Sequence, residues 1–253
     1  SMGRTYQMIS PIDGRTYDLK PDPDHGFLRT DPWPEPDHLA ALYERYDNPT
    51  VLFNEFRFTS LLEDRLGLID RPWRICEVGC GDGALLQRLR DKGHEVTGFE
   101  PSEPDFRACR DHGLDVAHAF FTPEAMAGKP KQDLFILINV LEHVPDPETF
   151  LKELAPFLAD DTGYVLVLVP NEFSRIQDLL VQQEETPYFL APPIHLSYFD
   201  IAGFESLVRG AGFDPVHRTT DFPMEFFVLS GRDYRGDPEI GKACHAERVA
   251  FER

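Results

Sequence analysis

Between about residue 74 and residue 169 the spacing of apolar positions switches repeatedly between two patterns. Short apolar runs at 74–78, 95–100, 115–119, 133–140 and 164–169 predict strands, and the intervening residues 85–92, 104–112 and 148–158 carry apolar side chains at helical spacing. Alternation of this kind predicts an α/β sandwich with a largely parallel sheet and right-handed crossovers. In such a sheet the loops at the carboxyl ends of the strands hold the ligand.

The flanking regions follow other patterns. Residues 3–36 are rich in Pro, Asp and Gly without a sustained period, which predicts an extended arm with a short hairpin at 11–15. From 37 to 67 helical spacing returns through Leu39, Leu42, Tyr43 and Tyr46, then Phe53, Phe56, Phe58, Leu61 and Leu62, predicting two helices broken at Asn48-Pro49. Residues 171–198 interrupt the alternation with a polar helix at 175–184 and a Pro-rich turn at 186–194, an arrangement expected of a lid. A helix at 201–210 follows, then strand candidates at 215–219 and 225–230 with no helix between them, which predicts an antiparallel pair. An amphipathic helix is expected at 240–251.

Composition narrows the function. The 253 residues are 42% hydrophobic, enough for a full core, and the formal net charge is −19 with no basic block. Nucleic acid is therefore excluded as a partner class, because phosphate backbones are bound through clustered Lys and Arg. Cys76, Cys80, Cys109 and Cys244 show no zinc-ligand or redox spacing, and Cys76 and Cys80 read as small buried fillers. No long apolar run predicts membrane insertion, so the expectation is a reduced, cytoplasmic protein, with a homodimer left open.

The chemistry concentrates at Glu77-Val78-Gly79-Cys80-Gly81-Asp82-Gly83-Ala84-Leu85, which ends one apolar run and opens a helical pattern. Glycines there permit positive φ and close approach of a ligand, and the helix start supplies unpaired N–H groups. Two readings compete. Gly79, Gly81 and Ala84 satisfy a dinucleotide fingerprint with Glu100 as the ribose carboxylate, which would make the chain an NAD-dependent oxidoreductase. The other guest is S-adenosylmethionine, whose ammonium group suits Glu77 just before the turn.

The second reading is where the chain resembles a known family. Glu77, Gly79, Gly81 and Gly83 are similar to the E/D-x-G-x-G-x-G loop of class I S-adenosylmethionine-dependent methyltransferases. Val96-Thr97-Gly98-Phe99-Glu100-Pro101 resembles the family's ribose-binding strand, and residues 133–147, with Asn139-Val140-Leu141-Glu142-His143-Val144, resemble its fourth-strand motif. The resemblance implies a Rossmann-like seven-stranded, mostly parallel sheet with an antiparallel last strand. It divides the chain into an arm and helical cap at 1–69, a methyltransferase domain at 70–231 with its lid at 171–198, and an extension at 232–253. It also implies that Glu77, Gly79, Cys80, Gly81, Gly83, Glu100, Pro101, Asn139 and Val140 bind the cofactor. The acid many members place after the third strand is absent, since the chain reads Ala119-Phe120-Phe121-Thr122. Phe120 is the candidate for the adenine face, with a core role for both Phe residues as the competing reading.

For the acceptor side, His143 and His195 are the candidate bases. His143 competes with a helix-start histidine bonded to main chain, and His195 follows the lid. Glu142 with His143 resembles the pair suggested to bind a divalent metal in quinone-biosynthesis methyltransferases, but the sequence offers no clear third ligand and no metal is expected. Tyr43 and Tyr46 are candidates to close over the site, with packing as the simpler role. Residues 222–252 resemble an extension associated with sugar or surface-polysaccharide methyltransferases. The expected reaction is O-methylation of a small hydroxylated metabolite, a sugar or polysaccharide precursor among the choices, with N- or C-methylation as the alternative.

Overall fold

The computed structural model describes residues 5–43, 71–159, 162–184 and 187–252. The second half of the expected cap helices, with Tyr46, lies outside the described residues.

Five strands, β4 (Arg74–Val78), β5 (Glu95–Phe99), β6 (Asp115–Ala117), β7 (Leu134–Ile138) and β8 (Tyr164–Leu168), form one parallel sheet in the order β6-β5-β4-β7-β8. Adjacent pairs are linked by α2 (Ala84–Asp91), α3 (Glu103–Asp111) and α5 (Pro147–Leu154), while α4 (Pro123–Met126) is a short turn before β7. The strand order reverses at β4: the chain first steps outward to β5 and β6, then returns to the other side for β7. In an open parallel sheet the ligand site is expected at such a reversal, here between the carboxyl ends of β4 and β7. Register keeps those ends level, because Val78 pairs with Phe99 on one side and Leu137 on the other.

Both faces of the sheet are covered, as a parallel sheet requires. Alternate residues of β7 show the period: Leu134 and Ile136 pack with Ile75, Leu85 and Leu89, while Phe135 and Leu137 pack with Phe99, Phe121, Leu151 and Leu207. The second face is closed by α5 and by α7 (Ile201–Gly210).

The N-terminal arm is not simply extended. β1 (Tyr6–Ile9), β2 (Thr16–Pro21) and β3 (Leu28–Asp31) form an antiparallel sheet, and β3 also pairs with β9 (Ser197–Tyr198) at the end of the lid. The expected hairpin is present, and the next turn repeats its construction. Ser10 Oγ accepts the N–H groups of Ile12 and Asp13, and Asp22 Oδ1 accepts those of Asp24 and His25. Side chains that close their own turns explain why Pro, Asp and Gly dominate here, and why no long apolar period marks the strands. Leu19, Leu28, Leu190 and Tyr198 form the core of this sheet. It is fastened to the main domain by His25, whose Nε2 lies 2.9 Å from Glu148 of α5 and whose Nδ1 lies 3.0 Å from Ser206 of α7. α1 (Pro36–Tyr43) follows the arm, and the lid contains α6 (Arg175–Glu184) as its spacing predicts.

The expected last strands are corrected by the structure. Residues 225–229 form a helix, α8 (Glu225–Leu229), and residues 213–223 form no strand, so five parallel strands are described rather than seven with an antiparallel end. Apolar runs this short fit either a helix or a strand. Here Pro223 precedes the first turn, Phe227 is buried at helical spacing, and Gly231 at φ 87° ends it. Val216 is largely exposed, and residues 215–219 do not pair with β8. A cavity of about 830 Å³ runs along the outer edge of β8, lined by Val165, Val167, Phe204, Val208 and Phe213 among others. The chain closes with α9 (Pro238–Phe251), and no helix of the described residues is long and apolar enough to cross a membrane.

Candidate functional site

The carboxyl ends of β4, β5 and β7 meet around the glycine loop. Gly79 and Cys80 donate their N–H groups to the carbonyl of Phe99, and Gly81 donates to Glu100 Oε2 at 2.8 Å. Glu100 Oε1 accepts the N–H of Ser102 at 2.7 Å, so the carboxylate bridges two loops. Burial raises its pKa, and these two N–H groups oppose the rise. Pro101 lies in the same turn, its carbonyl accepting from His118 Nε2.

The glycines of the loop have different physical roles. All three adopt positive φ, but a Cβ on Gly83 would lie 2.4 Å from Leu114 Cδ1 and 2.8 Å from Cys109 Sγ. Gly83 is thus required by packing of α2 against α3. Gly81 faces open space, which makes it the place where a ligand can approach the main chain. Gly79 touches the β7 side, where its Cβ would lie 3.0 Å from Val140 Cγ2.

Glu77 sits beneath the loop, buried, with Oε2 lacking a hydrogen-bond partner among the described residues. Burial, then the charges of Glu100 and Asp82, push its pKa well above the usual carboxylate range. A buried carboxyl with an open acceptor atom is suited to a cationic ligand group.

After β7, Asn139 adopts φ 52° and turns the chain, its N–H donating to the Leu168 carbonyl. A single turn of 3-10 helix, Leu141–His143, follows. Glu142 is 1% exposed, its Oε2 is unpartnered among the described residues, and burial lifts its pKa to about 8. His143 Nδ1 lies 2.8 Å from the Ile194 carbonyl, which fixes it as the N–H donor and leaves Nε2 as the lone pair, 3.8 Å from Glu142 Oε1. Part of the competing structural reading of His143 therefore holds.

The fold brings His195 to this pair. Its ring centroid lies 5.0 Å from that of His143, and its Nδ1 is buried without a hydrogen-bond partner among the described residues. Burial and the neighbouring His143 depress its pKa to about 3, so the imidazole is neutral. Ligating atoms of Glu142, His143 and His195 all lie within 4.8 Å of one another. The third metal-ligating group that the sequence did not reveal is thus supplied across 52 positions, and the three side chains could hold a divalent cation.

Beyond β6 the two Phe residues separate. Phe121 is buried among Phe99, Phe135, Phe150 and Phe157, whereas Phe120 is 71% exposed. A shared core role for both is therefore excluded.

Other residues of the site carried no motif. Glu172 is buried beneath the lid, bonded by Gln177 Nε2 at 2.9 Å, and burial raises its pKa to about 7. Its charge also raises Glu142. A lone acid just after a strand was its only signal in the sequence. Cys80 and Cys109, 29 positions apart, have Sγ atoms 4.0 Å apart, and the Cys109 thiol donates to the Gly81 carbonyl. All four cysteines are free and buried, as expected for Cys76 and Cys80.

Comparison with known proteins gives the arrangement a family. The methyltransferase-domain family profile matches residues 53–218. Over 199 residues the chain is 30% identical to a ubiquinone biosynthesis O-methyltransferase of Caulobacter vibrioides, covering 73% of this chain and 79% of the relative. The protein of that name from Alkalilimnicola ehrlichii is 39% identical over 104 residues, covering 39% of this chain. The chain spans 38%, 54% and 42% of the length of the relatives from Stutzerimonas stutzeri, Serratia proteamaculans and Alkalilimnicola ehrlichii. Among solved structures, the fold matches 1,6-didemethyltoxoflavin-N1-methyltransferase of Burkholderia thailandensis, which holds S-adenosylhomocysteine. The TM-score is 0.54 at 20% identity, covering 82% of this chain and 88% of that one. With a glycine loop set against an acid-tipped second strand, and a family profile spanning more than half of its length, the chain belongs to the class I S-adenosylmethionine-dependent methyltransferases.

Proposed function

We propose that this protein transfers the methyl group of S-adenosylmethionine to a hydroxyl of a small metabolite. The observation that carries the reading is the grouping of buried Glu142 with half-buried His143 and His195, one turn beyond the strand end that touches Gly79. Glu77 would take the cofactor's ammonium group, Glu100 its ribose hydroxyls, and Phe120 one face of its adenine. Gly79, Cys80, Gly81, Gly83, Pro101, Asn139 and Val140 would form the surrounding cradle.

In the transfer, the S–CH3 bond breaks with its electron pair returning to sulfur, and an O–CH3 bond forms. The proton of the acceptor hydroxyl leaves to a base. His195 is the first candidate because its Nδ1 is buried without a hydrogen-bond partner among the described residues, a place that an acceptor hydroxyl would fill. His143 is the second base candidate, through Nε2. Holding acceptor and cofactor in line is worth at most about 7–11 kcal/mol of the barrier, so positioning dominates. An oxygen acceptor agrees with the names of the relatives, and a sugar-type acceptor agrees with the resemblance of residues 222–252.

A second reading adds a divalent cation held by Glu142, His143 and His195, which would bind and acidify the hydroxyl. Two unpartnered buried atoms in that group favour it. Titration with Mn²⁺ tests it: binding by wild type and loss in E142Q are expected, and transfer that is insensitive to chelator would overturn it.

The main test is a thermal-shift comparison followed by transfer from labelled S-adenosylmethionine to a panel of phenols, diols, sugars and matched amines. Stabilisation by S-adenosylhomocysteine but not NAD, with label on oxygen, is expected. Stabilisation by NAD alone would sink the reading, and label on nitrogen or carbon would replace it. H195A should lower turnover about tenfold or more while leaving cofactor affinity unchanged. Undiminished turnover would remove His195 as the base.

A further inference from the structure

Among the described residues no polar bond holds Nδ1 of His195, and its ring is set by its main chain and by the rings of His143 and Tyr198, at 5.0 and 6.0 Å. What fixes that main chain therefore fixes the ring. On one side the Rossmann domain holds it: the Leu196 N–H donates to the Glu142 carbonyl at 2.7 Å, and His143 Nδ1 bonds the Ile194 carbonyl. The opposite side is held by a residue of the N-terminal sheet.

That residue is Thr30 of β3, 1% exposed. Its hydroxyl donates to the His195 carbonyl at 2.9 Å, and its N–H donates to the Leu196 carbonyl at 3.0 Å. Nearby, the Tyr198 hydroxyl oxygen accepts the Ala191 N–H at 3.1 Å. The β3–β9 pairing continues the clamp through Arg29 with Ser197 and Leu28 with Tyr198. The sheet is itself anchored, because Phe27 packs on Phe199 at 4.8 Å and His25 reaches Glu148 and Ser206.

We infer that Thr30 is a positioning residue for the acceptor site: its hydroxyl sets His195 through the His195 carbonyl, making the N-terminal sheet a working part of the methyl-transfer site. The inference rests on the reading of His195 as an acceptor-site residue, but its geometric content is separate from the identity of the base. A Val at position 30 keeps the β-branched shape and removes the donor, whereas Ser keeps the donor and removes a methyl group.

The test uses the full chain with S-adenosylhomocysteine bound and records ¹H–¹⁵N correlations of the histidine rings, with His195 identified by the signals lost in H195A. In T30V the His195 signals should move and broaden while the cofactor affinity stays at the wild-type value, and in T30S they should return. With an acceptor from the panel, T30V should lower kcat about tenfold with an unchanged KM for S-adenosylmethionine, again restored in T30S. His195 signals that superimpose on wild type in folded T30V would overturn the inference. So would T30S behaving as T30V, because size and not the hydroxyl would then be responsible. If T30V does not fold, T30A carries the same comparison. If H195A transfers methyl at the wild-type rate, the base assignment falls while the ring signals still decide the role of Thr30.

Discussion

The N–H of Gly81 and the carboxylate of Glu100 are joined by a 2.8 Å hydrogen bond, which ties the open point of the glycine loop to the end of the neighbouring strand. One side chain thus shapes the loop and, in the proposed reading, would also meet the cofactor's ribose. E100A should weaken S-adenosylhomocysteine binding about tenfold or more, since a hydrogen bond to a charged group is worth roughly 1.5–3 kcal/mol. Calorimetry checks this, and equal affinity would overturn the ribose role.

Gly81 and Gly83 should fail differently. Ala at Gly83 would meet Leu114 and Cys109 as well as an unfavourable φ of 79°, so G83A should cost about 1–3 kcal/mol and lower the melting temperature by several degrees. G81A meets no neighbour, so beyond the strain of φ 54° it should show its main effect in cofactor affinity. Melting curves with and without S-adenosylhomocysteine separate the two.

Adjacent Phe residues offer a similar contrast. F121A removes a side chain buried among four aromatic rings and should cost about 3–5 kcal/mol. F120A should alter stability by no more than about 0.5 kcal/mol, as for an exposed position, yet weaken cofactor binding. Denaturant unfolding and calorimetry on both variants test this pair.

Glu172 gives the free protein a pH dependence. Burial raises its folded pKa to about 7, above the ordinary value of 4.5. Between those values the folded state binds more protons than the unfolded state, so stability falls as pH rises. The contribution is fully present below about pH 4.5 and is lost by about pH 7. E172Q should flatten this part of the stability profile, as denaturant midpoints at pH 5 and pH 7.5 would reveal. A wild-type slope in E172Q would assign the dependence to other groups.

Much of the central domain was legible because its signals are local. A parallel strand buried on both faces must be a short apolar run, and its crossover helix must show an apolar stripe, so residues 74–169 announce their order directly. The predicted helix bounds at 175–184 and 201–210 agree with α6 and α7. The glycine loop was legible for the same reason, since a turn with φ of 67°, 54° and 79° demands those glycines in sequence. The N-terminal sheet was harder to read, because its turns are closed by Ser10 and Asp22 and its pairing partner β9 lies far along the chain. Residues 225–230 were misread because their short apolar run fits a strand as well as the helix that Pro223 and Gly231 delimit.

The sequence by itself determined the strand order's raw material, the glycine loop and the acids at positions 77 and 100. It named the pair Glu142 and His143 and, apart from them, His195. Only the tertiary structure decided that their ligating atoms lie within 4.8 Å, that Phe120 is exposed while Phe121 is core, and that Cys109 and Leu114 require Gly83. The physical reason is range. Periodicity and turn chemistry act between residues a few positions apart, whereas a site is made by where the sheet register, the lid and the N-terminal strands deliver side chains from distant parts of the chain.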